Sequence, residues 1–215
     1  MNNKNITVLQ FAPDIPVYIV GDFPLDMDVI LSGLKFAKKR LEKWLSKYYL
    51  KGIVIGQDQG LVFDTLAWRN LEAMYTDGTI FVLASKITSS ESLALSIIHE
   101  FSHVIMKEKG QNIIPLIKLE YNKKRKQLFN KLAELEYDTS DFNVSSIQFV
   151  PAFDQFLLDV GYDTLNHALA GSVIDVYGLV SLDEYFANSM ENYLTGKKEL
   201  VKKINPSFCQ AIQYI

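Results

Sequence analysis

Residues 99–103 read His99-Glu100-Phe101-Ser102-His103, an H-E-x-x-H pattern. On a helix, side chains four residues apart stand one turn apart on the same face, so the two imidazoles can converge on one tetrahedral ion. Neutral imidazole is a common zinc ligand. The carboxylate next to the first histidine then points towards the ion's open side, where it can take a proton from water. The bland alternative is an amphipathic helix with two surface histidines. It is disfavoured because the chain has three histidines and two of them fall at this spacing.

Two imidazoles do not complete a catalytic zinc site, which usually has three protein ligands and a place for water. A closely following third histidine, as in H-E-x-x-H-x-x-G-x-x-H, is absent: Met106 and Lys109 stand at the glycine and histidine positions. The remaining histidine, His167, lies far downstream in DTLNHALAGS and is read as structural. Glu184, in SLDEYFANSMENYL, is the better third ligand. It opens an expected helix, and Ala187 and Asn188 allow close packing against the histidine-bearing helix. Asp183 and Glu191 are the rival carboxylates. Asp183 is better explained by the helix dipole at a helix start, and Glu191, two turns along, can be solvated.

These groups need elements to hold them. ITVLQF (6–11) and VYIV (17–20) read as short β-branched strands. Apolar residues from Leu25 to Leu50 recur at helical spacing, with lysines opposite, giving a long amphipathic helix closed by Gly52. IVIG (53–56) reads as a buried strand, Trp68–Tyr75 is ambiguous, and Asp77-Gly78 marks a turn into the β-prone run Thr79–Leu83. That run is expected to be an edge strand beside the active-site helix, to which a peptide could add as a further strand. Thr88 and Glu91 form a capping-box pattern starting a helix through about Lys107, closed by Gly110. Further helices are expected at about 115–137, carrying NKKRK at 122–126, and at 151–160, 163–175 and 183–195. Asn205-Pro206 breaks the last stretch. The basic run is read as a solvated helix face.

The fold class expected is α+β, in one domain over 1–215: residues 1–88 mainly strands plus a long helix, residues 89–215 mainly helical and carrying the metal ligands. With 215 residues and 48% apolar content the chain can bury a sizeable core. A net charge of −3 argues against a nucleic-acid binder. One cysteine, Cys209, excludes an internal disulfide. No segment approaches the roughly 20 apolar residues of a membrane span, and the N-terminus does not read as a signal peptide. The expectation is a cytoplasmic protein, or one exported by a non-classical route or as a mature fragment.

With HEFSH, a tyrosine and the segment Glu184-Tyr185-Phe186-Ala187 in place, the chain resembles the lethal-factor and Pro-Pro endopeptidase family of gluzincin-type zinc metallopeptidases. The resemblance covers roughly residues 75–215 and implies a zincin-like domain that hydrolyses peptide bonds with Zn²⁺. It implies metal ligands His99, His103 and Glu184, with Glu100 as the base. It implies that Tyr177, seven residues before Glu184, hydrogen-bonds the substrate oxyanion. Two positions depart from the family pattern. Ser102 stands where glycine is frequent, and Asn188 stands where an acidic residue is frequent; Asn188 can still hydrogen-bond a histidine ligand. The expected partner is a peptide or protein substrate. The alternatives are a catalytically weak zincin-fold binding or toxin-like module, and an intracellular regulatory protease, for which no DNA-binding segment is visible.

Overall fold

β-Branched runs build a small sheet in the first half of the chain. In the computed structural model, which describes residues 5–21, 25–57 and 72–215, Ile6–Ala12 (β1) and Ile15–Val20 (β2) pair antiparallel. In β2, Ile15, Val17 and Ile19 point into the core and their neighbours do not, the period of two that puts alternate side chains on one face. Gly52–Gly56 (β3) lies parallel to β2. Thr79–Leu83 (β5) lies parallel to β3 and antiparallel to Ala73–Thr76 (β4). The sheet order is β1-β2-β3-β5-β4. Asp77 and Gly78 join β4 to β5 with φ of 50° and 86°, the double positive φ of a tight hairpin, which aspartate and glycine tolerate best.

The expectation of an edge at Thr79–Leu83 is corrected: β5 has a partner on each side, and β4 is the edge of the described sheet on that flank. Of the ambiguous stretch, Ala73–Thr76 is β4, whereas 68–71 lie outside the described residues.

Met27–Leu45 (α1) is capped by Asp26, whose carboxylate accepts from the Asp28 amide, and buries Ile30, Leu34, Ala37, Leu41 and Trp44 at helical spacing. It ends at Leu45, short of the expected Leu50, and Gly52 begins β3 instead of closing the helix. From Tyr48 onward burial alternates (Tyr48, Leu50 and Gly52 in; Tyr49 and Lys51 out), so the chain is already extended there.

Six further α-helices follow among the described residues. The longest, Ser90–Glu134 (α2), is 45 residues and replaces the two helices expected there. Gly110 is not in the left-handed region that a helix-ending glycine adopts. Pro115 lacks an N–H for the Gln111 carbonyl, but both residues are exposed, so water can take that carbonyl. The cap is one residue later than expected: Ser89 Oγ accepts from the Ser92 amide, and Ser92 Oγ accepts from the Ser89 and Thr88 amides. The remaining helices are Pro151–Val160 (α3), Tyr162–Ala168 (α4), Leu182–Leu194 (α5), Lys198–Ile204 (α6) and Pro206–Ala211 (α7), with a 3-10 turn at Val176–Leu179. The helix expected over 163–175 thus stops at Ala168. Asn205-Pro206 separates α6 from α7, and Phe208, Ala211, Ile212 and Ile215 of the tail are buried.

The structure is mixed α+β, 60% helical and 15% strand, with one small mixed sheet. The chain divides into two compact units, residues 1–104 and 105–215. No helix of the described residues is long and apolar enough to cross a membrane. In the second unit the solvated reading of NKKRK is corrected: Lys124 and Arg125 are 8% and 1% exposed. Arg125 lies on the inward stripe of α2 with Ile117, Tyr121, Leu128 and Leu132, which are all buried.

Candidate metal centre

In the first unit, α2 turns Leu93, Ala94, Ile97, Ile98, Phe101 and Val104 into the core. Phe101 meets Tyr48 edge-on, with ring centroids 6.4 Å apart. At Gly33 of α1 a Cβ would stand 2.8 Å from the Ser90 carbonyl oxygen and 2.9 Å from a Leu93 methyl, so only glycine lets α1 approach the start of α2 this closely.

That burial fixes the rotation of α2 and therefore the face that carries His99, Glu100 and His103. The histidine rings are half-buried, with centroids 5.1 Å apart and planes inclined at 70°. Glu100 is 8% exposed. One potential ligand atom from each of the three residues lies within 4.8 Å of the other two. Neighbouring ligand atoms on tetrahedral zinc stand about 3.4 Å apart for Zn–N bonds of about 2.0–2.1 Å. The observed spread suits two imidazoles on one ion with a carboxylate beside it. The two imidazole nitrogens are donors of the kind zinc selects.

Ser96 lies on the same stripe of α2, one turn before His99 and Glu100. Its hydroxyl bonds the Glu72 carboxylate at 3.3 Å and the Ser92 carbonyl at 3.0 Å. Glu72 immediately precedes β4, and its carbonyl accepts from the Leu83 amide, so the edge strand is tied to the face of the helix that carries His99, Glu100 and His103. Ser102 is fully buried and donates to the Ile98 carbonyl at 2.8 Å. The extra hydroxyl is thereby satisfied within the helix.

In the second unit, Glu184 is half-buried in the first turn of α5. Ser181 caps that helix, its hydroxyl accepting from the Glu184 amide at 3.1 Å. Asn188, 8% exposed, follows one turn later on the same face. Tyr177 sits in the 3-10 turn Val176–Leu179, where Asp175 accepts from the Tyr177 amide at 2.9 Å and Asn166 accepts from the Val176 amide at 2.7 Å. The Tyr162 ring meets the Tyr177 ring edge-on at 5.9 Å. Burial, then the hydrogen bond to Asp154, raises the pKa of the Tyr162 phenol, so it stays protonated as donor to that carboxylate. A Cβ on Gly178 would stand 3.5 Å from Asn188 Cβ and 3.6 Å from Tyr185 Cα. The turn bearing Tyr177 therefore lies directly against the helix bearing Glu184.

Of the other candidates, His167 has Nδ1 at 2.7 Å from the Asp163 carbonyl oxygen, a contact within its own helix. Asp183 and Glu191 are half-buried on α5. Sequence reading missed the supporting residues Asp175, Asn166, Ser181 and Arg125. Two of them had local signals: Ser181-x-x-Glu184 is a capping-box pattern, and Asp175, two residues before Tyr177, suits a side-chain turn. Compared with known proteins, the chain matches no family model, no curated protein and no solved structure.

Proposed function

We propose that the chain is a zinc-dependent metalloendopeptidase with a zincin-like fold, resembling the lethal-factor and Pro-Pro endopeptidase family. The observation that carries this reading is the His99, Glu100 and His103 cluster on one face of a helix whose opposite face is buried. His99 and His103 hold the metal, and Glu184 is the third ligand. Zinc held there would supply Lewis acidity, polarising the scissile carbonyl and lowering the pKa of bound water towards about 7.

Glu100 takes a proton from the attacking water and passes it to the departing amine, a role worth about 10²–10⁴ in rate. Tyr177 donates a hydrogen bond to the oxyanion that develops on the carbonyl, and such a donor contributes about 3–4 kcal/mol. Asn188 orients a ligand from behind. The substrate adds to the sheet at β4, in place of β5, because β4 is the described edge and its entry residue Glu72 contacts the metal-bearing helix through Ser96.

Zinc analysis paired with cleavage of a peptide library tests this reading. Wild-type protein should carry one zinc and cut. Glu100→Gln should keep the zinc and lose about 10²–10⁴ in rate, and Glu184→Ala should lose most of the metal. Full cleavage by Glu100→Gln, or no cleavage by zinc-loaded wild type across the library, would overturn it.

A further inference from the structure

Arg125 is the most deeply buried charged residue among those described, at 1% exposure. A guanidinium stays protonated in proteins, so the cation must be satisfied inside the second unit. Burial lowers its pKa, opposed by the neighbouring Tyr121. Among the described residues no carboxylate pairs with it. Its two Nη nitrogens donate instead to oxygens of the chain, Nη1 to the Leu179 carbonyl, to the Val180 carbonyl at 3.2 Å and to the Tyr121 hydroxyl at 3.0 Å, and Nη2 to the Asn143 carbonyl at 3.5 Å, while the buried Nε has no hydrogen-bond partner. The guanidinium lies 4.3 Å from the centroid of the Phe153 ring and 5.5 Å from that of Phe129. Tyr121 backs the arrangement, its hydroxyl also bonding the Leu179 carbonyl at 3.3 Å.

Leu179 and Val180 form the junction between two features of the site. Tyr177 lies two residues before Leu179, and Ser181, which caps Glu184, follows Val180. The carbonyls that close a helical turn carry partial negative charge and lack partners within the turn. Arg125 grips that end of the turn, while Asp175 and Asn166 hold the start through the Tyr177 and Val176 amides. A methionine would fill a similar volume without desolvating a cation. It could not hold two successive carbonyls in one geometry, which the planar fork of arginine can.

We propose that Arg125 is a positioning residue: by clamping the Leu179 and Val180 carbonyls it sets where the Tyr177 phenol stands. The inference rests on the metallopeptidase reading for its catalytic consequence, but the clamp itself does not. A displacement of about 1 Å in such a donor costs on the order of 10² in rate.

A double-mutant cycle tests it. Arg125→Met should lower kcat by about 10–10² with a smaller change in KM, and Arg125→Lys should fall between it and wild type. In a Tyr177→Phe background the same Arg125 changes should cost no more than about threefold, because the group they misplace is gone. Equal losses in both backgrounds would make Arg125 merely structural and overturn the proposal. Fluorotyrosine NMR on the folded Arg125→Lys protein supplies the second readout, with the Tyr177 signal assigned from its loss in Tyr177→Phe. That signal should shift or broaden, while those of Tyr49 and Tyr214, 68% and 73% exposed, stay put. An unmoved Tyr177 signal overturns the clamp. Zinc-loaded wild type without peptidase activity would remove the catalytic reading alone, and the fluorine experiment would still decide the positioning.

Discussion

Removing the metal should leave the fold standing, and the size of the effect follows from how α2 is buried. Within the first unit this helix inserts Leu93, Ile97, Ile98, Phe101 and Val104, each fully buried. At about 1.5–3 kcal/mol for each such side chain, these five contribute on the order of 7–15 kcal/mol to holding the helix in place. Zinc present at about 100 times its Kd adds about 2.7 kcal/mol by mass action. Packing outweighs the metal, so chelation should retain the far-UV helical signal. The melting temperature should fall by about 5–11 °C, taking roughly 2–4 °C per kcal/mol for a chain of this size. His103→Ala should melt within a few degrees of the chelated wild type and show no response to added zinc. Circular dichroism melts with zinc and with a chelator measure all four conditions. If chelation unfolds the protein, the metal is structural and the open-site reasoning is wrong. If His103→Ala keeps the zinc-dependent rise, that histidine is not a ligand.

Two further outcomes follow from the second unit. Burial raises the Tyr121 phenol to about 12, partly offset by Arg125, against an ordinary value of 10.0. Between pH 10 and 12 the unfolded chain gives up a proton that the folded one keeps, so stability intact below pH 10 falls by about 2 kcal/mol by pH 12. Urea midpoints over this range should decline less steeply in Tyr121→Phe, and an identical slope in the two proteins would refute the assignment. Ser181→Ala removes the cap on the Glu184 amide and should cost about 1 kcal/mol in chemical denaturation, largely recovered in Ser181→Asp. Unchanged stability in the alanine variant would show that the cap contributes nothing.

What was legible in the sequence was local. His99, Glu100 and His103 lie within one turn, so helix geometry alone brings them together, and helix periodicity alone says which face they share. The Asp77-Gly78 turn was legible because two positive φ angles call for those residue types. The positions of β1, β2, β3 and β5 followed from β-branched runs. The misreadings came from long-range context. Gly110 and Pro115 look like breaks, yet a helix stabilised by packing tolerates both where the backbone stays helical or wet. Whether β5 is an edge depends on β4, a short strand with no strong signal of its own. NKKRK reads as a charged face until Arg125 is aligned with Tyr121 and Leu128, when the same residue falls on an apolar stripe. Its partners, the Leu179 and Val180 carbonyls, are backbone atoms more than fifty residues away and leave no trace in side-chain composition.

The central claim is that His99, His103 and Glu184 share one zinc ion. Anomalous scattering at the zinc absorption edge, from crystals grown with the metal, addresses it most directly. The account predicts one strong peak per chain, about 2.0–2.2 Å from a nitrogen of His99, a nitrogen of His103 and a carboxylate oxygen of Glu184. A peak bound to the two histidines but completed by another carboxylate, or no peak at the histidines, would contradict it.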